Sequence, residues 1–437
     1  LRDLGNLQDA ELSTRKAIEI KPDYADAHSN MGIILRDLGN LQDAELSTRK
    51  AIKIKPDYAD AHYNLGVILR DRDNLQDAEI STRKAIEIKP EYEEAHYTLG
   101  AILMQQGKLK EAEISLHKTI KINPNHTIAH EGLGKIFQNK GELDKSNQSY
   151  NFFLSSKEIT QEKRLLSLIM TIHNEIIQGN LAGASINLRK IQSIPYLYPL
   201  NKSITAEQYL LHRYLKGLNL LYENIKAINI DFSLERIPHI GDSHCLTFSH
   251  KTLNLGTYKQ RIQPAYIVGA KAFHFSRKSK KKYIKSFFKS QIKNHVDSKN
   301  ILISFGEIDC RKHEGILPYS LKYKKEIIEV CKETINGYLD FMEDNLSKRF
   351  TKRYYFGTPA PTISEQKIDD LDQQRIKVIR EYNKIIKSEV LSRGCYFIDS
   401  YKLTSKDGHN NNLYMNDEFH LHPKCLPILF EKYLCAP

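Results

Sequence analysis

The chain predicts two architectures in succession: an α-solenoid of stacked helix pairs, then a parallel β-sheet covered on both faces by helices. Three observations carry this. A motif recurs at a 34-residue step through the first part of the chain. After residue 231, short apolar runs alternate with longer helical patterns, the order that builds parallel sheets. The first of those runs stops at Gly241-Asp242-Ser243. A strand that ends in such a turn sets a hydroxyl at the carboxyl edge of a sheet, where open α/β folds bind ligands.

The repeat comes first. Leu1-Arg2-Asp3-Leu4-Gly5-Asn6 returns as Leu35-Arg36-Asp37-Leu38-Gly39-Asn40 and, altered, as Leu69-Arg70-Asp71-Arg72-Asp73-Asn74. Gly32, Gly66, Gly100 and Gly134 keep the step, as do Ala44, Ala78 and Ala112, and Pro22, Pro56, Pro90 and Pro124. The small residues let paired helices approach, and each Pro ends a second helix and opens the turn to the next unit. No unit can bury its apolar face alone, so units must stack.

This placement resembles the tetratricopeptide repeat over residues 1–160. The resemblance implies a curved superhelix whose first helices line a groove for a protein or peptide partner. Asp60, Tyr63, Arg70, Glu94, Tyr97 and Gln105 are the candidate groove residues, the other reading being a solvated face. His28, His62, His96 and His130 stand where the family has a bulky aromatic. One His per unit puts neighbours too far apart to share a metal ion, so packing is their expected role. The near identity of successive units argues duplication more than a tailored surface. The last unit, Gly134 to Phe153, is degraded: Ser146 replaces the small Ala, and no Pro follows on schedule.

Residues 161–230 lose the step but keep helical spacing. Leu165, Leu166, Ile169, Ile172 and Ile176 form an apolar stripe. Gly179-Asn180 breaks it, and helices are expected over 182–194 and 206–225, with a bend at Pro195 and Pro199. These are expected to cap the stack and join it to the second half, residues 231–437.

There the first strand is Ile237 to Ile240, and Pro264-Ala265-Tyr266-Ile267-Val268 reads as the second. Arg277 to Lys282 is a basic run. With Ile284, Phe287, Phe288 and Ile292 behind it, it fits an amphipathic helix with a lysine-rich outer face better than a nucleic-acid surface. Asn300 to Phe305 is apolar throughout, as a central parallel strand is. It delivers Gly306, Glu307 and Asp309, with Arg311 and His313 beyond. A helix over 322–346, a strand at Tyr354-Tyr355-Phe356, a helix over 376–390 and a strand at Cys395 to Ile398, ended by Asp399, complete the alternation.

Gly-Asp-Ser alone serves equally well as an ordinary turn. A second signal lies far along the chain: Asp417-Glu418-Phe419-His420, then Leu421-His422-Pro423. An acid three residues before a His can hold one ring nitrogen while the other faces a Ser, although a His in a polar loop is often just solvated. Together, Gly241-Asp242-Ser243, Gly306-Glu307-Ile308-Asp309 and Asp417-x-x-His420 resemble, in order and spacing, the blocks of the SGNH (GDSL-type) hydrolases. The resemblance implies a three-layer α/β/α fold, a nucleophile at Ser243, a base at His420 and an orienting acid at Asp417, with no metal or organic cofactor. Asp399 is the rival acid, and Cys245 a rival nucleophile that ranks far below Ser243.

One position departs from the family. Its oxyanion-binding Asn is here Ile308, which has no donor, and losing one such donor costs about 100–1000-fold in rate. Arg311 is the candidate replacement. Gly269 is the expected oxyanion glycine, with Gly256 second. Glu307, Asp309 and Arg311 are expected to touch substrate or oxyanion. The alternative is an Asp309–Arg311 pair that only fixes the loop.

Length and composition set the outer limits. A chain of 437 residues holds two or more domains with real cores. The net charge of +12 suits acidic partners or simply a soluble basic protein, and nucleic acid is not an expected partner. Six cysteines lie in the second half with no Cys-x-x-Cys spacing, which reads as reduced thiols in a cytoplasmic protein. No apolar run is long enough for a membrane span and no signal peptide is visible, although the chain opens inside a repeat and residues upstream are expected to be missing. The functional expectation is an esterase or acyltransferase on an ester-bearing small molecule or glycan, with a carbohydrate O-acyl group preferred. The alternative is a non-catalytic scaffold whose second half has degenerated.

Overall fold

The computed structural model describes residues 6–194, 206–256, 258–267, 270–276, 279, 281–295, 297–362, 368–415 and 420–437, with side chains from 215 onward in the segment beginning at 206. The chain divides into two compact units, one ending at Ile136 and one beginning at Phe137.

The first unit is the expected array of helix pairs: α1 (Leu7–Ile20), α2 (Ala25–Asp37), α3 (Leu41–Ile54), α4 (Ala59–Asp71), α5 (Leu75–Ile88), α6 (Glu93–Gln106) and α7 (Leu109–Ile122), followed by α8 (Thr127–Lys140). Asn6, Asn40 and Asn74 start α1, α3 and α5, each side chain accepting a backbone N–H of the first turn. Ala44, Ala78 and Ala112 are completely buried. A Cβ on Gly32 would overlap Thr48 Oγ1, and one on Gly66 would overlap Thr82 Oγ1, so the pairs touch at backbone distance.

The repeated histidines have a specific task. Nε2 of His28, His62 and His96 donates to the carbonyl of the Pro six residues earlier, at 2.9, 2.9 and 2.8 Å. Each imidazole thus ties the start of a first helix to the turn before it, which a purely apolar aromatic could not do.

The second unit begins with helices and ends with a sheet. Its helices are α9 (Leu143–Ser155), α10 (Gln161–Gln178), α11 (Leu181–Gln192) and α12 (Ala206–Lys226). The buried stripe of α10 is Leu165, Leu168, Ile169, Ile172 and Ile176, whereas Leu166, expected in it, is 46% exposed. Adjacent positions on a helix point about 100° apart, so only one of Leu165 and Leu166 can face the core.

The strands are β1 (Arg236–Gly241), β2 (Thr252–Leu255), β3 (Tyr258–Tyr266), β4 (Asn300–Ser304), β5 (Lys352–Phe356), β6 (Tyr396–Ile398), β7 (Ser405–Lys406), β8 (His409–Asn410) and β9 (Leu434–Cys435). Seven form one sheet in the order β2-β3-β1-β4-β5-β6-β9. The five central strands are parallel, but β2 and β9 pair antiparallel at the edges, so the sheet is mixed rather than parallel throughout. The first edge arises because β2 and β3 form a hairpin, and its turn contains Gly256 at φ +76°, a conformation glycine adopts without strain.

The remaining helices are α13 (Ala272–Phe275), α14 (Lys282–Lys293), α15 (Ile316–Tyr323), α16 (Ile327–Leu346), α17 (Asp370–Ser392), α18 (Ser400–Thr404) and α19 (Leu426–Lys432). One sheet face packs Ile237, Leu302, Tyr354 and Phe356 against Leu426 and Leu429 of α19. On the other, Tyr355 meets Tyr338 of α16. β1 lies between β3 and β4, so the chain steps to one side of β1 and then crosses to the other. That is a topological switch point, and its crevice opens at the carboxyl ends of β1 and β4.

The helical region is fastened to the sheet region within this unit. Helix ends leave carbonyls unsatisfied. Here His250 Nε2 donates to Ile176 O at 2.7 Å and Gln263 Nε2 to Ile177 O at 3.0 Å, at the last turn of α10. Ile177 also packs in one cluster with Cys245, Leu246 and Tyr266. The helices expected to join the repeats to the second half keep a core of their own and reach the sheet region through Ile177. Among the described residues, no helix is long and apolar enough to cross a membrane.

Candidate functional site

The site is built on the close approach of β1 and β4. Gly241 stands opposite Ser304 in the register. A Cβ at Gly241 would overlap Ser304 Oγ and lie 2.6 Å from the Ser304 carbonyl oxygen, so only glycine fits. Asp242 then caps a single 3₁₀ turn, Ser243–Leu246, accepting the His244 N–H at 2.9 Å. The same carboxylate oxygen lies 2.8 Å from His244 Nδ1. Burial opposes ionisation of Asp242, but the His244 imidazole, with Arg311, outweighs it and holds the carboxyl below its usual range.

His420 arrives from the other end of the unit. Leu421 beside it is buried in the core and bridges to Met415, and His422 N–H donates to Tyr414 O at 2.7 Å. With its neighbour pinned, His420 Nε2 sits 2.8 Å from Ser243 Oγ, a hydrogen bond across 177 positions of sequence. The His244 and His420 rings lie 4.8 Å apart between centroids. Ser243 and His420 share a pocket of about 20 Å³ with His173 of α10, Gly217, Leu218 and Leu221 of α12, Leu246, Thr247, Leu421 and Pro423. That is room for about one water molecule.

Asp417 and Gly269 lie outside the described residues. The runner-up glycine, Gly256, is in the β2–β3 hairpin turn and does not line this pocket. Asp399 is occupied elsewhere: it caps α18, accepting the Lys402 N–H at 3.0 Å, and pairs with Lys387 Nζ at 3.0 Å. The Cys245 thiol is fully buried, and burial with Asp242 nearby pushes it well above its ordinary range, away from the reactive thiolate.

Among the described residues, Glu307, Asp309 and Arg311 do not line the pocket of Ser243 and His420. Arg311 pairs with Glu307, not with Asp309: Nε and Nη2 lie 2.9 and 2.8 Å from Glu307 Oε2. Asp309 is fully buried and accepts the N–H groups of Ala272 and Phe273 at 2.6 and 3.1 Å, so it starts α13. Burial raises its carboxyl to about 7 against the pull of those two bonds. Asp309 also borders a cavity of about 660 Å³ lined by α13, α15 and α16. Ile308 is buried.

Sequence reasoning missed His173. It is completely buried, its ring meets Tyr266 edge-on at 4.8 Å, and burial followed by the nearby His420 lowers it to about 3. Its only sequence signal is a lone His within the apolar stripe of α10. In the first unit, Tyr63 and Arg70 lie on α4 and Tyr97 on α6, all half-buried. Asp60 is exposed but hydrogen-bonded to the Tyr92 hydroxyl.

Family models for the tetratricopeptide repeat match residues 32–70, 59–92 and 93–126. The first unit therefore carries tetratricopeptide repeats. Solved structures with similarity include MamA, at 26% identity over 35% of this chain and 90% of that one, with TM-score 0.33. They also include PilF of Pseudomonas aeruginosa, at 21% identity over 48% of this chain and 91% of that one, TM-score 0.41. A third is YrrB, described as a repeat protein with an unusual peptide-binding site, at 22% identity over 41% of this chain and 91% of that one, TM-score 0.36. No curated protein matches the chain.

Proposed function

We propose that the sheet unit is a serine esterase or acyltransferase of the SGNH type, and that the repeats bind a protein or peptide segment. The single observation that carries the first part is the 2.8 Å contact between Ser243 Oγ and His420 Nε2 at the carboxyl edge of β1. His420 takes the hydroxyl proton as Ser243 Oγ attacks an ester carbonyl. The tetrahedral oxyanion is held by backbone N–H groups, of which Ser243 and Gly269 are the family's choice. The alcohol leaves with the proton from His420. Water, or a sugar hydroxyl in a transferase, then attacks the acyl-enzyme, and a carbohydrate O-acyl group remains the preferred substrate class. Asp417 is assigned the orienting role by the family motif.

The pocket beside Ser243 measures about 20 Å³, and Leu218 and Leu221 of α12 form part of its lining. The larger cavity carries Lys271, Lys281 and Lys285 beside Asp309, Glu333, Asp340 and Asp344, so its charge is mixed and selects no substrate sign.

The test is a fluorophosphonate label on the full chain, read by peptide mass spectrometry. Attachment at Ser243, abolished by Ser243→Ala and reduced at least about 1000-fold in rate by His420→Ala, supports the reading. A folded parent that takes up no label refutes it. The scaffold reading is favoured by one observation, Ile308 in place of the donor Asn. It predicts an unlabelled Ser243 with repeat-dependent partner binding intact.

A further inference from the structure

We propose that His173, on helix α10 outside the sheet region, supplies the oxyanion hydrogen-bond donor that Ile308 does not. The inference rests on the esterase reading above. Its ground is placement. His173 lines the same pocket as Ser243 and His420. Its ring stands edge-on against Tyr266, which lies opposite Gly241 in the β1–β3 register, two residues before the serine. Tyr266 itself packs with Cys245 and Leu246 of the serine turn. The helix cannot drift, because its final carbonyls accept His250 and Gln263 from the sheet region. The imidazole is therefore mounted on the floor that carries the nucleophile.

Its protonation suits a donor and not a base. Complete burial keeps the ring neutral across physiological pH. A neutral imidazole gives up its N–H proton reluctantly but hydrogen-bonds well, which lets it polarise an oxygen without protonating it. The base position is already filled by His420. In the acylation step the Ser243 Oγ–carbon bond forms and its proton passes to His420 Nε2. The carbonyl π pair moves onto oxygen, and His173 N–H donates to that oxygen while keeping its proton. Collapse restores the carbonyl, breaks the bond to the leaving alkoxide, and returns the proton from His420 to the alcohol.

The experiment compares the full chain with His173→Leu and His173→Asn, which are similar in shape and differ in carrying a donor. Ser243→Ala serves as the blank, and p-nitrophenyl acetate as the probe. The Leu variant is expected to lose about 100–1000-fold in kcat, with KM little changed, and the Asn variant to recover at least tenfold of that loss. Equal kcat in Leu and parent, or equal losses in Leu and Asn, overturns the proposal. Leu suits a fully buried position; should it still not fold, His173→Phe takes its place. A parent no faster than Ser243→Ala would instead remove the esterase reading itself, so the two failures are distinguishable.

Discussion

Gly241→Ala puts the geometry of the serine turn to a direct test. The added methyl would overlap Ser304 Oγ and lie 2.6 Å from the Ser304 carbonyl oxygen and 3.2 Å from Cys245 Cβ. The hydroxyl can rotate aside, but the carbonyl belongs to central strand β4 and the cysteine to a fully buried turn. Backbone must therefore give way, and β1 and β4 separate at their carboxyl ends. Overpacking of this kind costs about 1–3 kcal/mol. The same shift moves Ser243 relative to His420, and a misplacement on the order of 1 Å costs about 100-fold in rate. Urea unfolding of the sheet unit reads the first effect, and the second-order rate of fluorophosphonate labelling reads the second. Adding Ser304→Ala removes the hydroxyl contact but leaves the Ser304 carbonyl and Cys245 in place, so it should return part of the stability and little of the rate. An Ala variant with parental stability and parental labelling would show that strand contact does not position the nucleophile.

Three further outcomes follow from the site. Arg311→Ala takes from Glu307, 7% exposed, its hydrogen-bonded cation and leaves it Arg375 nearby, so it should destabilise the unit by about 1–3 kcal/mol, measured by urea unfolding; a stable variant that labels slowly would instead return Arg311 to the oxyanion role. Asp309 ionises near 3.8 when unfolded and near 7 when folded, so between those values the native state holds the extra proton and stability falls as pH rises. The stability of the parent minus that of Asp309→Asn, from urea midpoints, should therefore decline from about pH 4 to about pH 7 and level off above; a flat or rising difference contradicts it. Leu221→Ala opens the pocket under α12 and should raise the labelling rate of a bulky fluorophosphonate over a small one about tenfold, and an unchanged ratio would mean that substrate does not enter there.

What the sequence made legible were features that repeat or stay local. The helix pairs were readable because one packing problem is solved again at every step, leaving Gly32 against Thr48 and Gly66 against Thr82 in the same places. The serine turn was readable because Gly241, Asp242 and Ser243 act within one turn. The histidines of the repeats were seen, but not their hydrogen bonds to the prolines. That contact depends on a ring reaching back over a turn, which no residue pattern encodes. Likewise the Glu307–Arg311 pair won over Asp309–Arg311 because Asp309 is consumed by two N–H groups from a segment some 36 residues earlier.

Residues 161–230 show what spacing alone leaves unsaid. Their pattern gave helices that were read as capping the repeat stack and joining it to the second half. In the folded unit α10 and α12 contribute His173, Gly217, Leu218 and Leu221 to the wall around Ser243 and His420. On the esterase reading proposed above, Ile308 leaves the loop after β4 without a donor, and His173 on α10, which precedes β1, is the proposed replacement. Removing residues 161–230 then takes away the helical lining of the pocket and that proposed donor together.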